Sequence, residues 1–270
     1  MTAARRRSAA ILLVGCGKMG AALLAGWQAR RIPGPFHVVE PAPSRRIKGA
    51  RFHATPATLP RNLKPAMIVL AVKPQAFGDV LPAYRSFAQQ GAAVLSIAAG
   101  QTIAGISRGL GGGAVLRAMP NTPASIGRGM TVACAGPGVT SGQRALANRL
   151  LAAVGEIAWV ADEMLLDPVT AVSGSGPAYV FYLIECLAKA GAAEGLPPDL
   201  ANQLARATVA GAGALARQAK ASAAELRENV TSPGGTTRAA LDVLMAPDGL
   251  ESLMRRAVAA AARRSRELAR

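Results

Sequence analysis

Ala10-Ile11-Leu12-Leu13-Val14-Gly15-Cys16-Gly17-Lys18-Met19-Gly20 decides the fold. Residues 10–14 are a short all-apolar run, as expected of a strand buried on both faces. Three spaced glycines follow at once, and Ala21 to Arg31 reads as a helix. This is G-x-G-x-x-G in the strand–turn–helix setting that gives the pattern its meaning. The first glycine makes the turn, the second lets the backbone approach a pyrophosphate, and the third packs helix on strand. A second strand, Phe36 to Val39, ends in Glu40, about 20 residues past the glycines, where an acid that contacts a ribose is expected. Gly15, Cys16, Gly17, Lys18, Met19, Gly20 and Glu40 are therefore candidate dinucleotide-binding residues. Glu40 would accept from a ribose 2′-hydroxyl and points to NAD(H). Arg45 and Arg46 would neutralise a 2′-phosphate and point to NADP(H), so both cofactors stay open.

Strand and helix keep alternating outward from this stretch. Met67 to Val72 is another buried-strand run, ending in Lys73-Pro74 at a carboxyl end, where open α/β sheets bind ligands. Ala92 to Ile97 is a further strand, followed by the small residues Ala98-Ala99-Gly100. Val115 to Ala118 leads into the turn Met119-Pro120-Asn121-Thr122-Pro123. Met130 to Cys134 and Glu156 to Val160 are the last strands, with a helix from Gln143 to Val154 between them. The expectation is a doubly wound, Rossmann-type α/β domain over residues 1–161.

From Asp162 onward the pattern is helical. Val172-Ser173-Gly174-Ser175-Gly176-Pro177-Ala178-Tyr179 breaks the chain before a long apolar helix that runs to about Ala193. That helix lacks a polar face, which predicts burial from all sides, in a core or a subunit interface. Pro197-Pro198 opens a helix to about Lys220, Ala223 to Asn229 is a shorter one, and Leu250 to Leu268 the last. Between them lies Thr231-Ser232-Pro233-Gly234-Gly235-Thr236-Thr237-Arg238-Ala239-Ala240-Leu241, a tight hydroxyl-rich loop running into a helix. The first N–H groups of such a helix have no internal partner and suit a small anion such as a carboxylate. Residues 162–270 are expected to be an all-helical second domain.

Composition narrows the function. The 270 residues are 51% hydrophobic and 17% charged, which describes a globular chain of two-domain size. Cys16, Cys134 and Cys186 are far apart and form no C-x-x-C pair, so neither a disulfide framework nor a metal site is expected, and the compartment is expected to be the cytoplasm. Arg5-Arg6-Arg7 before an apolar run imitates a secretory signal, but the run ends in Gly-Cys-Gly-Lys without a cleavage site, and a buried strand explains it. No apolar run reaches the roughly 18 residues of a membrane span. The formal charge is +16, with arginines scattered except at 5–7 and 255–266, and aromatics make up 4%. So few aromatics give no stacking platform for nucleic acid. The charge reads as a solvated surface whose field attracts a dinucleotide and a carboxylate.

Taken together, the chain resembles pyrroline-5-carboxylate reductase from Ile11 to about Glu267. The resemblance rests on the glycine motif, Ala71-Val72-Lys73-Pro74, Ser96-Ile97-Ala98-Ala99-Gly100, Met119 to Pro123, Ser173 to Tyr179 and Ser232 to Thr237. It implies a dinucleotide domain followed by a helical domain that forms a homodimer or a higher homo-oligomer. It implies hydride transfer from NAD(P)H to C5 of 1-pyrroline-5-carboxylate, giving L-proline. On the matching positions Ala71, Val72, Lys73, Pro74, Ile97, Ala98 and Ala99 would line the dinucleotide, with Asn229 touching it. Glu163, Ser232, Gly234, Gly235, Thr236 and Thr237 would surround the substrate. Thr237 would act catalytically, its hydroxyl hydrogen-bonding the ring nitrogen. Ala42 departs from the small polar residue that many relatives carry there. The alternative is a β-hydroxyacid-dehydrogenase-like oxidoreductase, which needs a lysine base early in the helix after the second glycine motif. Here those positions read Pro177 to Tyr182, and Lys189 comes well further along.

Overall fold

The computed structural model describes residues 9–43 and 46–268. It divides into two compact units: one ends at Gly174 and resumes at Ala262, and the other is Ser175–Ala261.

The first unit is built on an eight-stranded sheet in the order β3-β2-β1-β4-β5-β6-β7-β8. Its opening elements are β1 (Ala10–Val14), helix α1 (Lys18–Ala29), β2 (Phe36–Val39), β3 (Ala50–His53) and β4 (Pro65–Leu70). The crossover from β4 to β5 (Ala93–Ser96) is broken into short turns, with α2 (Phe77–Val80) and α3 (Arg85–Gln89) the only α-helical pieces. Pro74 and Pro82 lie between these pieces and cannot donate to a continuing helix. Helix α4 (Ile103–Leu110) leads to β6 (Val115–Met119). All pairings up to that point are parallel. Next comes β7 (Gly129–Ala135), which pairs antiparallel with β6 because only a short connection over residues 120–128, with the 3-10 turn Thr122–Ile126, joins them; a parallel return needs a longer crossover. Helix α5 (Ser141–Ala152) supplies such a crossover to β8 (Gly155–Val160), which runs parallel to β7. A Thr140–Gln143 capping box fixes its start.

Period-two alternation sends Leu12, Ile68 and Val94 to one face of the sheet and Ile11, Leu13, Met67 and Val69 to the other, and both sets are buried. That is why these strands read as unbroken apolar runs. Two expectations shift. The strand expected over 67–72 ends at Leu70: Ala71 N–H donates to the Val14 carbonyl at 2.7 Å and the chain then leaves the sheet. The edge strand β3 and helix α4 have no counterpart in the sequence reading.

No strand follows Val160 among the described residues, yet the compact unit does not stop at 161. Helix α6 (Leu166–Val169) and the wide turn Thr170–Gly174 belong to it, with Leu166 and Asp167 buried. Residues 262–268, the end of the last helix, also belong to it. Ser265 Oγ donates to Asp167 Oδ1 at 2.6 Å, both side chains buried. Position 161 therefore marks a change of secondary structure, not of compactness.

The second unit holds α7 (Gly176–Ala193), α8 (Pro198–Gln218), α9 (Ala223–Asn229), α10 (Thr236–Leu244) and the first part of α11 (Leu250–Leu268). Helices α7 and α8 pack together, and small residues carry the contact: Ala188, Ala201 and Ala205 are the buried ones. The burial of α7 from all sides is not met within one chain. Phe181 is 59% exposed, with Val180, Tyr182, Leu183 and Leu187 also open. A single stripe of small side chains covers one face only, and the apolar remainder stays uncovered.

Candidate active site

In the first unit the β1–α1 turn forms a cradle. Gly15 has φ +88°, and a Cβ there would lie 2.8 Å from the Ala71 carbonyl oxygen, so only glycine fits. At Gly20 a Cβ would fall 2.4 Å from the Gly15 carbonyl oxygen, which forces a glycine where helix meets turn. Gly17 differs from both. Its φ of −66° is ordinary and a Cβ would meet nothing within 4 Å. Nothing in the chain itself requires glycine at 17, whereas a pyrophosphate drawn against the start of α1 does. The helix has no side-chain cap there, and Lys18 is exposed beside it.

Glu40 closes the cradle. Its Oε2 accepts from Cys16 N–H at 2.7 Å and its Oε1 from Ala42 N–H at 3.3 Å. Burial, and then the Glu40 carboxylate, push the Cys16 thiol up, so it stays protonated and serves as packing. A cleft of about 380 Å³ opens next to it, lined among others by Gly15, Glu40, Thr55, Val72 and Asp79. Thr55 and Asp79 escaped the sequence reading, as each is a lone polar residue among apolar neighbours without a motif.

The neighbouring strand ends converge. Ile97 N–H donates to the Leu70 carbonyl at 3.1 Å, Ala98 N–H to Ser96 Oγ at 3.3 Å, and Gln101 Nε2 to the Pro74 carbonyl at 3.4 Å. Ala71–Pro74 and the Ile97–Ala99 segment are thus held side by side, at the carboxyl ends of β4 and β5. Arg45 lies outside the described residues. Arg46 is exposed and does not line the cleft.

Two further motifs meet in this unit. Asn121 Oδ1 accepts from Met130 N–H at 2.8 Å, and Asn121 Nδ2 donates to Ser173 Oγ at 3.3 Å. Glu163 is bound up close to β6: its Oε1 accepts from Arg117 Nη1 at 2.9 Å and from Ile103 N–H, the first of α4, at 2.8 Å. Sequence reasoning missed Arg117. An arginine in the apolar strand Val115-Leu116-Arg117-Ala118-Met119 was the available signal.

The hydroxyl-rich loop belongs to the second unit, as does Asn229, exposed at the end of α9. Thr231 Oγ1 donates to the Arg227 carbonyl at 2.6 Å, which ties the loop to the end of α9. Gly234 takes φ +69°, and Gly235 N–H returns to the Ser232 carbonyl at 3.1 Å. Gly235 is the N-cap of α10 and provides no side-chain cap, so the helix start is left to an external acceptor. Thr237 is a half-buried second residue of that helix, and its hydroxyl has no capping duty. Ser232, Gly234, Gly235, Thr236 and Thr237 are therefore gathered on one loop, while Glu163 and the dinucleotide candidates other than Asn229 belong to the first unit. Among the described residues no group of three His, Cys, Asp or Glu is placed to hold a metal.

Residues 163–268 match the family model described as pyrroline-5-carboxylate reductase dimerisation, and residues 10–100 that of NADP oxidoreductase, coenzyme F420-dependent. The chain is 40% identical to a pyrroline-5-carboxylate reductase of Synechocystis over 95% of its length and 97% of the relative's. It is 39% identical to the Pseudomonas aeruginosa enzyme over 96% of both chains. The chain belongs to the pyrroline-5-carboxylate reductase family. Solved reductases share the fold. The one from Coxiella burnetii superposes with a TM-score of 0.88 at 32% identity, covering 97% of this chain and 99% of that one. The Plasmodium falciparum reductase, solved with NADP bound, gives 0.83 at 28% identity, covering 98% and 99%. The reductase dimerisation model begins at Glu163, within the first compact unit, and runs through the uncovered α7 face.

Proposed function

We propose that this chain reduces 1-pyrroline-5-carboxylate to L-proline in the cytoplasm, as a homodimer or higher homo-oligomer. Family membership makes it an NAD(P)H-dependent oxidoreductase acting on a C=N bond. The observation that supports dinucleotide binding is the β1–α1 turn: Gly15 and Gly20 are fixed by the Ala71 and Gly15 carbonyls, and Gly17 leaves open space at the uncapped start of α1. When bound, the reduced nicotinamide would supply the hydride for C5 of the substrate, and solvent water would supply the proton for the ring nitrogen.

The chain's own groups bind and orient. Gly15 to Gly20 receive the pyrophosphate, Glu40 faces the adenosine ribose, and Ala71–Pro74 with Ile97, Ala98 and Ala99 line the rest, joined by Asn229. The uncapped start of α10 suits the substrate carboxylate, with Ser232 and Gly234 to Thr236 shaping the loop around it. Thr237, free of capping duty, donates a hydrogen bond to the ring nitrogen and holds the ring in the reactive orientation. Glu163 has Oε1 committed to Arg117 and Ile103, which leaves Oε2 for the substrate.

The division of labour is a dinucleotide domain over 1–161 and a helical substrate and dimerisation domain over 162–270. The open apolar side of α7 supports self-association, and the free thiols of Cys16, Cys134 and Cys186 suit a reducing compartment. No helix among the described residues is long and apolar enough to cross a membrane. No nucleic-acid partner belongs to this reading. Purified protein should oxidise NADH or NADPH only when pyrroline-5-carboxylate is present. Absence of turnover with both cofactors would overturn the assignment.

A further inference from the structure

We infer that this chain selects NADH over NADPH, and that Glu40 is the residue that discriminates. The inference rests on the reductase reading above and fixes which of the two cofactors that site takes.

In doubly wound folds the residue at the carboxyl end of the second strand, here Glu40 just after Val39, faces the adenosine ribose, where the two cofactors differ by a 2′-phosphate. Here that position holds a carboxylate that cannot readily turn away. Both Glu40 oxygens are engaged by backbone N–H groups of the turns they join, at 2.7 Å from Cys16 and 3.3 Å from Ala42. Swinging it aside to admit a phosphate would leave the Cys16 N–H, in the heart of the glycine turn, without its acceptor. Each carboxylate oxygen has a second lone pair, so the anchored group can still accept from a 2′-hydroxyl.

The surroundings have the same sign. Among the described residues, the cleft beside Glu40 has Glu40 and Asp79 as its only ionised lining side chains, with no lysine or arginine. Arg46 is exposed and is not one of them. Ala42 gives its N–H to Glu40 and has no side-chain donor for a phosphate. A phosphate monoester brings about −1.5 to −2 charges at neutral pH, and here it would enter a cleft that both carboxylates line. The chain's net charge of +16 attracts the more anionic NADPH somewhat more, but that field is screened within about 8 Å at physiological salt, so the groups beside the ribose set the choice. The family model over residues 10–100 is described for NADP enzymes. Glu40 and Asp79 argue for NADH in this chain despite that description.

The test is binding, measured by calorimetry on the full-length protein without substrate, with NADH and NADPH as the titrants. The wild type is expected to bind NADH at least tenfold more tightly. Glu40→Gln keeps an acceptor for Cys16 N–H and removes the charge, and should bring the two affinities within about threefold of each other. Glu40→Ser should do the same or invert the order. Arg45→Ala should leave the wild-type ratio unchanged. Equal or tighter NADPH binding by the wild type overturns the inference. So does an unchanged ratio in Glu40→Gln, which makes the comparison decisive even where Glu40→Ser does not fold. A loss of NADPH affinity above tenfold in Arg45→Ala would move the discrimination to that arginine and also overturn it. Binding of neither dinucleotide is a different result, and it would remove the reductase assignment itself.

Discussion

Arg117 and Glu163 form an ion pair at 2.9 Å in which the cation is the drier partner: its side chain is 6% exposed, against 26% for Glu163. The same carboxylate oxygen also receives the first N–H of α4. One side chain thereby neutralises a buried charge on β6 and caps a helix.

The asymmetry predicts unequal costs. Glu163→Ala strands an almost dry guanidinium and should lower stability by about 3 kcal/mol. Arg117→Met leaves a carboxylate that keeps both water and the Ile103 N–H, and should cost less. Urea unfolding of the two variants side by side gives the order.

Thr237→Ala should retain dinucleotide affinity and lose about a hundredfold in kcat, the usual cost of one transition-state donor. Thr237→Ser should recover much of it. Gly235, not Thr237, caps α10, so the Ala variant's melting temperature should stay close to the wild type's.

Gly17 and Gly20 should separate binding from folding. Gly17→Ala adds a methyl to open space; its stability should change by less than about 1 kcal/mol while the dinucleotide Kd rises at least tenfold. Gly20→Ala drives a methyl into the Gly15 carbonyl and should cost about 1–3 kcal/mol before any ligand is added. Calorimetric titration and thermal melts read the two effects independently.

Much of this was legible in the sequence, for reasons that differ by element. The strands β1, β4 and β5 announce themselves because both faces are buried and every position is apolar. Strand β3, Ala50-Arg51-Phe52-His53, does not, since an edge strand half open to water has no such run. Helix α4 hides behind Gly105 and Gly109, which lower its propensity. At Gly109 a Cβ would lie 2.5 Å from Leu81 Cδ1, a close contact that the absent side chain avoids in spite of the cost in propensity. The loop at Ser232 to Thr237 could be picked out by its residue types. The Arg117–Glu163 pair could not, because the arginine's place in an apolar strand marks a buried charge but does not name a partner 46 residues away.

Acid should weaken the fold through the β2–β3 edge. His53 Nδ1–H donates to the Thr58 carbonyl at 3.0 Å, so in neutral His53 Nε2 is the acceptor for His37 Nδ1–H, also at 3.0 Å. Burial first, then His53 and Arg51, hold the buried His37 below its ordinary pKa. The unfolded chain therefore takes up the proton first as pH falls. The contribution is complete above about pH 6.5 and is lost as pH drops through the lowered folded value. Melting temperatures between pH 8 and 5 should decline below that point, and His37→Gln should flatten this part of the profile.

Replacing Phe181 by Glu should leave the helices of the second unit folded, because that side chain is 59% exposed in the single chain. It should shift the protein to monomers in size-exclusion chromatography with light scattering, while far-ultraviolet circular dichroism stays unchanged.

The bond from Ser265 to Asp167 has a consequence for how the protein can be cut and made. The second unit is an insertion within the first, since the chain leaves at Ser175 and returns at Ala262. A fragment stopping at Gly174 would keep the whole sheet yet carry a buried Asp167 stripped of its donor, and such a piece should be soluble only poorly. Synthesis on the ribosome meets the same condition: the sheet can assemble early, but its unit is sealed only after residues 262–268 have emerged. Splicing that short segment onto residue 174 through a flexible linker is therefore the minimal way to obtain the dinucleotide-binding half alone.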